Sequence, residues 1–235
     1  MKKYMVLALT LTFLAAPALY AHDLFVGKQA GEFVVLFGHT DTGKFSEYKT
    51  EHIKEVKAYD KSGNAIAAQL KPHAKGAAVV AGQNPALIAL VFDRGFTVKT
   101  TEGYKNVSKR EAQNVVESWK GATYNKNIWQ WSDRFAKPLG GKIEIVPLKN
   151  PLTLKVGDIL PFQVFYDGKP IEGLEIGTAD HSDQKGIVTD KNGKASVTIK
   201  KSGQQVVKAT RKIPLQNDPD VDFLRESATI TFEVK

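Results

Sequence analysis

The chain has 235 residues, a formal net charge of +8 at pH 7 and no cysteine. Disulfides, lipobox acylation, thiolate metal ligands and a thiol nucleophile are therefore all excluded. The positive charge is not gathered into a dense Lys/Arg run interleaved with aromatics, which argues against nucleic acid as a partner.

The first residues read as a secretory signal peptide. Met1-Lys2-Lys3-Tyr4 is a short positive segment, and Met5 to Ala16 is apolar but too short to span a membrane. Pro17 to Ala21 is the cleavage region, with cleavage after Ala21 or, as the competing site, after Ala18. Removing residues 1–21 leaves 214 residues and lowers the formal charge from +8 to +6, because Lys2 and Lys3 leave with the signal. Beyond it no apolar stretch is long enough for a membrane helix, so a soluble periplasmic protein is expected.

From Asp23 to about residue 100 the pattern is β. Asp23 to Val26 and Phe33 to Phe37 read as strands around a turn at Gly27 to Glu32, the second ending at Gly38-His39. Ile53 to Tyr59 alternates apolar and polar residues, and Asp60 to Asn64 is a turn. Ile66 to Leu70, Ala77 to Ala81 and Ala86 to Phe92 complete the run. In the next segment Ser108 and Glu111 form a capping-box pattern, with Ala112, Val115, Val116 and Trp119 at helical spacing. A short helical insertion near 108–130 is the reading. Its aromatic residues Trp119, Tyr124, Trp129 and Trp131 are read as packing, with a carbohydrate platform as the sharper alternative.

The β pattern returns at Ile143 to Val146 and continues through Ile159 to Tyr166, Leu174 to Thr178, Ile187 to Thr189, Ala195 to Ile199, Gln205 to Ala209 and Ala228 to Val234. The fold class expected is mainly β: two β-sandwich domains, immunoglobulin-like or transthyretin-like, at 22–140 and 141–235 after the 1–21 signal. The boundary is placed near Pro138-Leu139-Gly140-Gly141.

Cleavage after Ala21 would make His22 the first residue. Its free α-amine and imidazole could then close one chelate ring on a metal. His22 and His39 bracket the first hairpin, and a turn near residues 29 to 31 brings them to the same end. Directly opposite one another, they would share a face with Cβ atoms roughly 5 Å apart. A one-residue slip would put them on opposite faces. Asp23 and Asp41, and Glu47 if the loop folds back, are carboxylates close enough to join such a site, though each reads more readily as a solvated strand-end or turn acid. His52 and His73 read as surface residues. His181, in a polar loop of the second half, could reach the site only across the interface. Amine and imidazole donors favour Cu(II), then Ni(II), Co(II) and Zn(II). No nucleophile elbow, phosphate-binding glycine loop or spaced carboxylate pair stands out, so binding rather than catalysis is expected.

The runs Ala21-His22-Asp23-Leu24-Phe25, Phe37-Gly38-His39, Glu47-Tyr48 and Val56 to Gly63 resemble a family of exported proteins of unassigned function. Pro138-Leu139-Gly140, Glu144 to Leu148, Asn150-Pro151, Val156-Gly157-Asp158, Tyr166 to Pro170 and Thr189 to Ala195 agree with its pattern. That family includes the extracytoplasmic component of nickel and cobalt uptake transporters of the energy-coupling type. The resemblance implies His22 as N-terminal ligand, His39 as the second, a nickel or cobalt ion, and a membrane permease as partner. A copper site of two histidines and the terminal amine is the alternative on the same residues, and a metal-free envelope interaction module is the third reading. The chain lacks the histidine-rich tract that some metal-trafficking proteins carry.

Overall fold

The structure, a computed structural model, describes residues 22–40, 42–82, 84–178 and 186–235. The expected signal peptide, Asp41 and His181 lie outside the described residues. The first half contains β1 (Asp23–Gln29), β2 (Glu32–His39), β3 (Lys44–Phe45), β4 (Ile53–Tyr59), β5 (Ala65–Ile66), β6 (Ala68–His73), β7 (Gly76–Ala81), β8 (Leu87–Thr100), β9 (Gly103–Lys105) and β10 (Val115–Ile128). The second contains β11 (Ile143–Pro147), β12 (Ile159–Tyr166), β13 (Lys169–Pro170), β14 (Glu175–Thr178), β15 (Lys194–Thr198), β16 (Gly203–Pro214) and β17 (Phe223–Val234).

These strands make a mainly β, sandwich-type molecule. A central eight-stranded sheet has the order β14-β16-β17-β10-β8-β4-β5, with β9 paired to β8. One outer sheet, β1-β2-β7-β6 with β3 beside β2, belongs to the first half. The other, β11-β12-β13 with β15 beside β12, belongs to the second. Alternating residues of the outer sheets meet the central one in two cores. Leu24, Val26 and Val35 pack with Ile88, Leu90 and Phe92, and Ile145, Phe162 and Val164 pack with Val207, Ile230 and Phe232. Fully burying a side chain such as Phe162 contributes about 1.5–3 kcal/mol.

The expected division near residue 140 falls between β10 and β11, yet the central sheet runs across it. β10 pairs in parallel with β17, from Trp119↔Phe223 to Asn127↔Thr231. The connection itself is pinned by Glu144, which is 4 % exposed. Its carboxylate accepts from the Leu139, Gly140 and Gly141 amides at 2.7, 3.1 and 3.1 Å and from Lys126 Nζ at 2.9 Å.

The helical insertion expected at 108–130 is not formed. The Ser108 hydroxyl does accept from the Arg110 amide, but the capped element is one 3-10 turn, Lys109–Glu111. Asn114 is left-handed (φ 54°), and from Val115 the chain is a strand. Val115, Val116 and Thr123 are β-branched, and Gly121, Asn125 and Asn127 are weak helix formers, so intrinsic preference sides with the sheet. Gly121 is required there for space, because a Cβ would lie 1.8 Å from the Arg225 carbonyl oxygen.

Asn125 and Asn127 hold β1 from its free edge. Asn125 Nδ2 donates to the Leu24 carbonyl (2.9 Å) and to Thr229 Oγ1 (2.8 Å). Asn127 Oδ1 accepts from the Val26 amide (2.7 Å) and from Thr231 Oγ1. Asn127→Ala strands the Val26 N–H in the interior, and an unsatisfied buried donor costs about 1–3 kcal/mol. Urea denaturation should show a loss of that size, with faster hydrogen exchange at Val26. An unchanged midpoint would dismiss the clamp.

Candidate functional site

Two left-handed residues, Ala30 (φ 46°) and Gly31 (φ 85°), make the tight turn between β1 and β2. That turn fixes the register from Gln29↔Glu32 to Asp23↔Gly38. One step further, His22 comes opposite His39. The two rings are 4.8 Å apart between centroids, tilted by 40°. His22 stacks on Phe37 at 5.0 Å and 13°, and its Nε2 is 3.0 Å from Ser46 Oγ. Ser46 arrives because β3 folds back along β2, pairing Phe45 with Gly38. A Cβ at Gly38 would lie 2.2 Å from the Lys44 carbonyl oxygen, so only glycine lets β3 come so close.

Of the two carboxylates expected beside the histidines, Asp23 acts on His22 through its charge but is engaged by Lys208, and Glu47 points to solvent. Alternation along β1 turns Asp23 away from the histidine face. It is 4 % exposed, and its carboxylate faces Lys208 Nζ at 3.4 Å. Glu47 is exposed, outward of the buried Tyr48. Tyr48 instead anchors this stretch, donating to the Val35 carbonyl and accepting from the Ala77 amide. Among the described residues no group of three or more His, Asp or Glu side chains is gathered for a metal. The structure brings together His22 and His39, with nitrogen donors only.

Two neighbours escaped the sequence reading. Arg94 lies over the Phe37 ring, 4.9 Å from its centroid. It is aimed by a bulge in β8: Asp93 pairs with Ala122 and Phe96 with Lys120, Gly95 is left-handed (φ 77°), and its amide donates to Asp93 Oδ1 at 2.7 Å. His52, expected on the surface, presents its ring edge-to-face with Phe92 at 6.0 Å, and its Nδ1 is buried without a hydrogen bond among the described residues. Phe92 in turn packs on Phe37 at 5.1 Å, so one aromatic row links His52 to His22. His73 sits at the exposed end of β6, where Nδ1 accepts from the Lys75 amide. Trp129 and Trp131 pack on Phe33 and Phe135, as the packing reading expects.

Burial is the main reason the His22 imidazole titrates below its ordinary value, with His39 and Arg94 adding to the effect. For His52 burial again leads, followed by Arg94. Both rings are therefore neutral near pH 7, the state a metal ligand requires.

A family described as "Domain of unknown function (DUF4198)" matches residues 17–213. The chain belongs to this family. An uncharacterized protein of Haemophilus influenzae is 26 % identical over 218 residues, covering 92 % of this chain and 91 % of the relative. No solved structure matches. Among the described residues no helix is long and apolar enough to cross a membrane.

A histidine whose folded pKa is depressed leaves the native state binding fewer protons than the unfolded chain. Stability is then undiminished above the unfolded value of about 6.5 and declines as pH falls through the window below it. NMR titration of the ring C–H signals should give midpoints below 6.5 for His22 and His52. His52→Gln should flatten the acid-side decline in unfolding free energy. Midpoints at or above 6.5 would contradict the burial of these rings.

Proposed function

We propose that this protein is a periplasmic carrier of a divalent metal, nickel or cobalt, which it holds at its N-terminal histidine and passes to a membrane uptake transporter. The observation that supports the reading is the His22–His39 pair, set opposite one another by a two-residue turn. With cleavage after Ala21 the donor set would be three nitrogens: the His22 amine, the His22 imidazole and the His39 imidazole. Two residues are then enough for three ligands.

The Ser46 contact bears on which ring nitrogen is used. Ser46 Oγ engages His22 Nε2. A ring held through Nε2 keeps Nδ1 for the chain's own amine and the metal, the combination that closes a chelate ring. Such an outer partner also fixes the tautomer. The amine titrates at about 7.7–8.0, so metal uptake releases a proton and strengthens as pH rises through that range.

A second reading is favoured by the removal of Asp23 to Lys208. A site with nitrogens and no carboxylate suits copper, which tops the intrinsic affinity order. A carrier or an oxidative copper protein would use the same three donors.

The test uses the mature chain beginning at His22 and the same chain carrying one extra N-terminal alanine, titrated with nickel, cobalt and copper. The extended chain folds identically but has its amine displaced, and a loss of affinity of about a hundredfold is expected. His39→Ala should weaken binding at least tenfold, with the circular dichroism spectrum unchanged. Equal affinity of the two chains sinks the chelate. Copper bound with a reversible redox signal, and nickel and cobalt not bound, would move the assignment to the second reading.

A further inference from the structure

Beside the histidine pair a cleft of about 530 Å³ opens on the central sheet. Five cationic side chains line it: Arg94, Lys99, Lys208, Lys212 and Arg225. The lining contains one carboxylate, Glu117, and that is taken by Lys212 at 2.8 Å. Lys208 has Asp23 behind it. Arg94, Lys99 and Arg225 have no carboxylate within ion-pair distance among the described residues.

The two arginines are half-buried and braced rather than loose. Arg94 lies over Phe37, and Arg225 over Trp119 at 5.4 Å. Arg94 Nε is buried with no hydrogen-bond partner among the described residues. A desolvated guanidinium with an unused donor is costly, and a planar anion that accepts from its fork relieves the cost. Trp119 is already engaged by Phe223, stacked at 5.9 Å, and by Arg225, so the cleft offers guanidinium edges rather than an open ring for a sugar.

The cations also bear on the metal. A dication at His22 and His39 would sit beside Arg94 and be repelled by it, and the carboxylate whose charge reaches His22, Asp23, is already offset by Lys208. An anionic co-ligand removes that repulsion and fills the coordination positions that three nitrogens leave open.

We infer that the cleft binds a small di- or tricarboxylate which also ligates the metal, so that the ion is held as an anionic carboxylate chelate rather than as a bare dication. The inference rests on the metal reading above. Arg94 and Arg225 grip carboxylates of the ligand, Lys99 adds charge, and the metal bridges the ligand to the histidines.

Citrate is the probe, with the chain beginning at His22. Calorimetry on metal-free protein should show citrate binding that Arg94→Gln and Lys99→Gln each weaken several-fold, with acetate and inorganic phosphate at least tenfold weaker than citrate. Native mass spectrometry with equimolar nickel and citrate should show a ternary protein–nickel–citrate species. In His39→Ala that species should disappear while metal-free citrate binding remains. Citrate binding by neither form, or phosphate binding as tightly as citrate, overturns the inference. Nickel stripped by citrate to leave bare protein overturns the chelate alone, since the metal reading stands on nickel binding without citrate. Citrate bound by a chain that takes no metal overturns both the chelate and the metal reading.

Discussion

The position of the candidate site depends on how the free edge of β1 is satisfied. β1 has β2 on one side only. On the other, the Leu24 carbonyl and Val26 amide would be left in a buried place without a ladder. Asn125 and Asn127 supply side-chain amides where a neighbouring strand would supply backbone. The same amides reach Thr229, Thr231 and the Ile88 carbonyl, so β1, β8, β10 and β17 meet at one buried polar node. β17 comes from the far end of the chain. The parallel β10–β17 ladder therefore lets the second half set where the first residues lie. A buried network of this kind is favourable only when fully satisfied, and its members act together.

Charge inside the molecule follows a similar logic. Lys126 and Glu144 form a buried pair at 2.9 Å, with side chains 7 % and 5 % exposed. Three loop amides complete the carboxylate's shell, which turns the passage between halves into a fixed corner. Asp23 and Lys208 do the equivalent one residue after His22. Each pair places ions that would be expensive to bury alone, so the net gain is small and the positional gain large. For Asp23 the consequence is chemical: a carboxylate that strand alternation sends to a lysine no longer serves the histidines. What lies against the His22 ring is then imidazole nitrogen, aromatic carbon and a hydroxyl, with the Arg94 charge close by.

Much of this architecture is written locally. Alternation in Ile53–Tyr59 and Ile159–Tyr166, with turns at Asp60–Asn64 and Asp167–Gly168, marks those strands because each face has one environment. The histidine pairing was legible for the same reason, and the observed register is the one that puts the rings side by side. Sequence proximity alone keeps Asp23 beside the histidines, whereas alternation gives a residue next to His22 the other face, where Lys208 is its partner. Residues 112–119 misled because Ser108 caps a 3-10 turn with the same bond that starts a helix, and the apolar spacing after it was accidental. Three features have no local signal. The pairing of β10 with β17 joins segments about a hundred residues apart. Arg94 is aimed by a bulge that interrupts alternation just where the apolar run Ala86–Phe92 stops. Asn125 and Asn127 look like solvent-facing polar residues until β1 is laid across them.

On the proposed reading the ligand is the first residue of the mature chain, a place that is poor by default because termini fray. Here the backbone is held from the next residue onward: Asp23 by Lys208, Leu24 and Val26 by the asparagines, and the whole strand by β2. The ring itself rests on Phe37 and meets Ser46. What remains to be ordered at His22 is one residue's backbone freedom, worth about 1–2 kcal/mol, and its side-chain rotamer. Metal binding at micromolar affinity would be worth about 8 kcal/mol. Fraying therefore takes only a small part of what a metal would return. The polar node between β1 and β10 is what keeps that fraction small, and it is why residues a hundred positions away in sequence belong to the same argument as His22.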